Sequence, residues 1–184
     1  DGVQGLLASS AAGRVISGPE VRYLELDPGR SLLVLWRVRV DGAPAQVVLS
    51  RGRMRPSGDA VRALNSAAAD RAPVPVALAE AGDPAVLVAW FPADPGLPLL
   101  ASGLEAAARG LGLRTGAPPE LLAWMPQQRA TLRLGDAVLK LYSQAAEAQA
   151  AVRALEACVG WLPTPAPLGA DPRLGITAQL AVPG

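Results

Sequence analysis

Lys140 is the only lysine in 184 residues, in a chain whose Lys and Arg together number 17. Lysine is a compact, mobile point charge on a four-carbon stem, whereas arginine is a planar fork that stays charged. Lys140 sits inside the apolar run AVLKLY, residues 137–142. Strand alternation puts Val138, Lys140 and Tyr142 on one face and Leu139 and Leu141 on the other. Two roles fit that placement: an ammonium that holds an anion, or a surface residue laying its stem along a strand edge. A carboxylate on the following helix could orient the ammonium. Glu147 and Glu156 both flank the apolar stripe there, about 180° apart at 100° per residue. Helical phase alone does not choose between them. The competing role for Glu147 is a solvated first-turn carboxylate favoured by the helix dipole.

Other chemistry is excluded by composition. The chain has no histidine, so Ser-His-Asp and Cys-His catalysis, histidine general bases and histidine metal sites are impossible. Cys158 stands alone, which rules out a disulfide within the chain and any Cys/His metal cluster; it reads as a core residue. The formal net charge is +1 with dispersed arginines, not the clustered basic surface that nucleic-acid binding requires. The small cluster Arg51, Arg53, Arg55, followed by Pro56 and Gly58, reads as a solvated loop. Apolar stretches are broken well short of a membrane span. The opening DGVQGLLASSAAGR carries no basic-then-apolar signal pattern. The expectation is a cytoplasmic protein without membrane or nucleic-acid partners, and an excised piece of something longer.

The chain also repeats itself. VVLS (47–50) matches AVLK (137–140), which sets Ser50 against Lys140 at an offset of 90. PVPVALAEAGDP (73–84) matches PTPAPLGADP (163–172), and AVLVAWFP (85–92) matches LGITAQLAVP (174–183). Upstream, VRYLELDPGRSLLVLW (21–36) matches ELLAWMPQQRATLRL (120–134). A long internal repeat of this kind has to be recognised before the fold is assigned.

Each copy predicts the same elements. A strand ends at Pro28 or Pro126, and a second strand follows over Ser31–Val40 or Arg129–Leu134. Asp41-Gly42 or Gly135-Asp136 then closes a hairpin. A third strand covers Gln46–Ser50 or Ala137–Tyr142. A helix comes next, at 59–69 in the first copy. In the second it is Gln144–Cys158, with Ser143 as N-cap and Ala148, Ala151, Val152, Leu155 and Val159 on one face. A Pro-x-Pro segment and two further strands end each copy. The predicted fold class is α+β, two tandem β-β-β-α-β-β units, each an antiparallel sheet with one packed helix. A linker helix over 104–111, capped by Ser102, joins them. The expected domains are 1–116 and 117–184. Trp36, Trp90, Trp124 and Trp161 read as core or sheet-face residues.

AVLKLY, the helix after it, LPTPAPLG (162–169) and ITAQLAVPG (176–184) resemble the N-terminal lobe of the aminoglycoside phosphotransferase and choline-kinase group of small-molecule kinases. That group shares the protein-kinase-like fold. The resemblance covers about residues 118–184. The first copy resembles the cap domains that some bacterial members, including maltokinase-like enzymes, carry ahead of this lobe.

The resemblance implies ATP with Mg²⁺ as cofactor and a small-molecule hydroxyl acceptor, such as a sugar or an aminoglycoside. Lys140 would hold nucleotide phosphates, because phosphoryl transfer needs positive charge fixed before the transition state forms. Glu147 would orient Lys140, although the family's usual glutamate position carries over nearest to Ala151. Backbone amides of Gln127, Gln128 and Arg129 would approach a phosphate, in a turn that lacks the usual glycine. Leu180 and Val182 would line the adenine pocket through backbone groups. The family's H-G-D catalytic loop and metal-binding Asp are not in this sequence, so no residue of this chain is expected to be catalytic or to bind metal. The alternative is a regulatory or protein-interaction module built on a duplicated sheet, without catalysis.

Overall fold

A computed structural model describes residues 2–53, 55–81, 86–116, 118–159, 161 and 164–182. The expected Asp83-Pro84 turn, the Leu162-Pro163 step and the closing Pro183-Gly184 lie outside the described residues. The fold is α+β, and the described residues form four α-helices and two antiparallel five-stranded sheets. The chain divides into compact units at 1–102 and 103–184. The expected boundary after residue 116 therefore falls inside the second unit.

The first unit opens with helix α1 (Gly2–Ser10), followed by β1 (Ile16–Asp27), β2 (Ser31–Val40) and β3 (Ala43–Arg51). Helix α2 (Gly58–Ala68) leads to β4 (Leu78–Ala81) and β5 (Val86–Trp90). The sheet order is β1-β2-β3-β5-β4. The β2–β3 hairpin closes on Asp41 and Gly42, at φ 50° and 84°. Two consecutive positive φ values mark a type I′ turn, whose twist matches that of its strands. The buried core of this unit gathers Leu7 and Ala11, Val38 and Val40, Val47 and Leu49, Leu64 and Ala68, and Leu78, Val88 and Trp90. Helix α1 had no counterpart in the sequence reading. It earns its place by burying Leu7 and Ala11, and Trp90 Nε1 donates to Ser10 Oγ at 3.2 Å.

Helix α2 is capped as its sequence directs. Ser57 accepts from the Ala60 amide at 3.2 Å, which satisfies one of the unpaired first-turn donors. Asn65 on this helix makes a reciprocal pair with Leu78 of β4. Its amide nitrogen donates to the Leu78 carbonyl at 2.9 Å, and its oxygen accepts from the Leu78 amide at 2.8 Å.

The second unit contains α3 (Leu104–Gly110), β6 (Glu120–Met125), β7 (Arg129–Leu134), β8 (Ala137–Tyr142), α4 (Ala145–Cys158), β9 (Pro167–Asp171) and β10 (Ile176–Leu180). Its sheet order is β6-β7-β8-β10-β9. Helix α4 packs against β8, β9 and β10. The predicted stripe on α4 is largely as drawn, with Ala148 buried and Ala151, Val152 and Leu155 half-buried, while Val159 is exposed. Two caps differ from expectation. Neither Ser143 nor Ser102 caps a helix: Gln144 and Gly103 occupy the N-cap positions, and neither makes a side-chain cap bond. Gly103 takes φ 84°, a left-handed entry that glycine adopts without steric cost. Trp161 is also unlike the other tryptophans, being 88% exposed. No helix among the described residues is long and apolar enough to cross a membrane.

Candidate functional site

Strand β8 alternates strictly. Ala137, Leu139 and Leu141 are buried, and Val138, Lys140 and Tyr142 are half-buried. Paired residues in an antiparallel sheet share a face, so register decides the neighbours of Lys140. It pairs with Thr131 on β7 and with Thr177 on β10. One step along, Tyr142 pairs with Arg129. The opposite face carries Ala130, Leu141 and Ile176 in one row and Leu132, Leu139 and Ala178 in the next, all buried. The sheet thus has one apolar face and one face where Lys140 stands between two threonines.

A cavity of about 240 Å³ opens on the polar face, lined by Met125, Arg129, Thr131, Lys140 and Tyr142 together with Ala123 and Ala130. Two cations line it and no carboxylate does. It is smaller than the ~300–1,000 Å³ of pockets that enclose whole ligands. No ion pair engages Lys140 among the described residues. Glu147 lies exposed in the first turn of α4 and makes no ion pair with Lys140 among the described residues; its charge acts on Tyr142. Glu156 is exposed as well.

Tyr142 is the perturbed group of the site. Burial pushes its hydroxyl above the ordinary value of 10.0. A hydrogen bond with Thr177 and the Arg129 charge pull it back, and Glu147 adds to the rise. Thr177 is only 3% exposed, so its hydroxyl is one that must find a partner inside the fold.

The turn beside the cavity explains how the sequence dispenses with glycine. The Gln128 amide donates to the Met125 carbonyl at 3.1 Å, with Pro126 next and Gln127 at φ 61°. That is the arrangement of a type II turn, which places a left-handed residue at its third position. Gln127 accepts that conformation at a cost of about 1–2 kcal/mol, and it is 9% exposed with partners for its polar groups. The Ser143 amide donates to the Gln128 carbonyl at 2.8 Å, which ties the turn to the end of β8. Arg129 is held over the cavity by its Nε donating to Met125 Sδ at 2.9 Å.

Leu180 and Val182 are not part of this constellation. Leu180 pairs with Ala137, on the face opposite Lys140, and lines a different cavity of about 440 Å³ with Leu134, Ala137 and residues 112–114. Its amide is taken up by the Ala166 carbonyl at 2.9 Å. Val182 is 67% exposed. On the face of Lys140, the neighbours farther along are Val138 and Gln179, which pair with each other. Sequence reading set Tyr142 on the face of Lys140 but missed Thr131 and Thr177. The alternation in RATLRL was visible, but Thr177 joins the group only through the β8–β10 register.

The first sheet provides a comparison at the same register. There, Ser50 pairs with Leu33 and with Leu87, and these three are 3%, 0% and 5% exposed. The first sheet has closed this position with leucine side chains; the second leaves a charge between two hydroxyls. Among the described residues no three His, Cys, Asp or Glu side chains come together as metal ligands. No protein-family model, curated protein or solved structure matches the chain.

Proposed function

We propose that the second unit is a nucleotide-binding lobe of a small-molecule kinase and that the first is a degenerate copy of it serving as a cap. The carrying observation is Lys140. It has no ion pair among the described residues, pairs with Thr131 and Thr177 across the neighbouring strands, and shares with Arg129 a cavity that has no carboxylate in its lining. Unpaired positive charge held on a strand is what a phosphate ligand needs, since it is positioned before the ligand arrives. In this reading Lys140 and Arg129 hold phosphate oxygens of Mg·ATP, and the Gln127–Arg129 turn lies beside them. The full enzyme moves the γ-phosphoryl group to a hydroxyl of a sugar, aminoglycoside or similar acceptor. The groups that position the acceptor and ligate Mg²⁺ are supplied outside these residues.

The missing Lys140–Glu147 contact fits this reading in one specific way. In kinase lobes the Lys–carboxylate pair is a feature of the assembled active site, and in this reading Glu147 reaches Lys140 only there. Titration of this chain with Mg·ATP by calorimetry tests the proposal. Saturable binding that disappears in Lys140→Ala supports it; binding that is unaltered by that substitution overturns it.

A non-catalytic interaction module is the second reading. The Leu33–Ser50–Leu87 position favours it, because that sheet keeps its packing with no charge there. A chain that binds no nucleotide at millimolar Mg·ATP would leave this reading in place.

A further inference from the structure

The arginine cluster of the first unit does not behave as a solvated loop. Arg51 and Arg55 are exposed, but the Arg53 side chain is only 18% exposed and pairs with Glu25. Arg53 Nε is buried with no hydrogen-bond partner among the described residues, a cost that folded proteins rarely carry. Together with Arg30 from the β1–β2 turn, these residues line a cavity of about 640 Å³. Asp27 and Ser31 complete its polar lining.

The backbone is built to bring the two segments together. Gly52 takes φ 70°, and a Cβ there would stand 1.9 Å from the Arg30 carbonyl oxygen. Glycine alone permits that approach, which sets the end of β3 directly on the β1–β2 turn. On the turn itself, Pro28 and Gly29, at φ 76°, place the Arg30 amide 2.9 Å from the Asp27 carbonyl.

The charges around the cavity are not mutually satisfied. Glu25 takes Arg53, and Glu80 reaches Arg55 at 3.5 Å. Arg30 and Arg51 make no ion pair among the described residues, not even with Asp27 on the same wall. Four guanidinium groups therefore meet three carboxylates, and the two unpaired guanidiniums face open space. Guanidinium forks match phosphate oxygens two at a time, and the volume falls in the range of small-molecule sites.

We propose that this cavity binds a phosphate-bearing small molecule, with Arg30 and Arg51 as its principal ligands. A diphosphate has enough acceptor oxygens to engage both forks at once. The site is independent of the Lys140 cavity and stands or falls separately from the kinase reading.

Inorganic pyrophosphate is titrated calorimetrically into a Lys140→Ala, Arg129→Ala chain, which removes both cations of the second unit's cavity from the experiment. Saturable binding is expected, weakened about tenfold or more when Arg30→Ala and Arg51→Ala are added. No binding, or unchanged binding in the Arg variant, overturns the proposal. Phenylglyoxal labelling of the unsubstituted chain needs no variant to fold. Pyrophosphate should slow modification of Arg30 and Arg51 and leave the exposed Arg62 at its original rate. Equal rates with and without pyrophosphate at Arg30 and Arg51 also overturn it.

Discussion

Lys140 pairs with Thr177 across β8 and β10, where the first sheet pairs Ser50 with Leu87 across β3 and β5. The comparison separates what the fold needs from what a ligand needs. A five-stranded sheet in the same strand order closes this position with a small hydroxyl and leucine. Charge at Lys140 is therefore not required by the sheet, and it has no carboxylate to neutralise it among the described residues.

Lys140→Met keeps the apolar stem and removes the charge. Stability should change by less than ~0.5 kcal/mol, as for substitutions away from buried networks. Mg·ATP affinity should fall by about tenfold or more, because a charge-assisted contact to phosphate is lost. Urea unfolding and calorimetry on the same preparation read the two quantities. A stability loss of several kcal/mol would make Lys140 a packing residue instead.

Much of this arrangement was legible in the sequence because it is local. The bounds of β2, β7 and β8 follow alternation and turn residues and agree with the structure. Helix α2 lies within one residue of the expected 59–69 at each end. What was not legible depends on distant partners. Helix α1 contains two glycines and no charge within GVQGLLASS, and it is held by contacts such as Trp90 to Ser10 across 80 residues. Thr131 and Thr177 are ordinary strand threonines until register sets them on either side of Lys140. Leu180 enters the expected site only through the resemblance, by its backbone groups, and pairing with Ala137 sets its side chain on the face opposite Lys140. The Arg53 pairing with Glu25 likewise joins β1 to the bend after β3, which no local pattern connects.

Thr177→Val should raise the Tyr142 pKa further. The Thr177 hydrogen bond is a lowering influence on a group that burial already raises. The sign for stability follows from linkage. A folded pKa above the unfolded value means that native stability is intact below pH 10 and declines as pH climbs through the folded pKa. The substitution should push the Tyr142 absorbance transition to higher pH. It should also cost about 1–2 kcal/mol at neutral pH by leaving the Tyr142 hydroxyl short of a partner. Alkaline spectrophotometric titration against the parent chain, with Tyr23→Phe to isolate the signal, measures the shift; an unchanged or lowered transition contradicts the assignment.

Asp41 predicts the opposite pH behaviour. Its carboxyl is held below the ordinary 3.8 first by the Val15 amide, which donates to it at 3.0 Å, and then by the Arg14 guanidinium at 2.8 Å. A depressed folded pKa supplies stability that is present above the unfolded value and is lost as pH falls through the folded one. Asp41→Asn should therefore remove acid sensitivity in the window below about pH 4. It should keep the hairpin, because Asn also accepts from an amide and tolerates positive φ. Thermal melts across pH 2 to 6 check this: parallel acid profiles for the two chains would refute it.

Asn65 offers the largest single stability prediction in the first unit. Its side chain satisfies both the amide and the carbonyl of Leu78 on edge strand β4, at 2.8 and 2.9 Å. Leu78 is fully buried, so water cannot replace those bonds without opening the core. Each orphaned backbone group costs about 1–3 kcal/mol, and Asn65→Ala should destabilise the unit by about 2–4 kcal/mol. Leucine at the same position should do no better, since lost hydrogen bonds rather than lost volume set the cost. Helix propensity acts in the opposite direction, favouring alanine over asparagine by under ~0.7 kcal/mol, too little to change the sign. Chemical denaturation of both variants, with hydrogen exchange at the Leu78 amide, separates the two effects: the amide should lose protection in each. If Asn65→Ala were neutral, or if Leu78 stayed fully protected, the clasp between α2 and β4 would not be what holds that strand to its sheet.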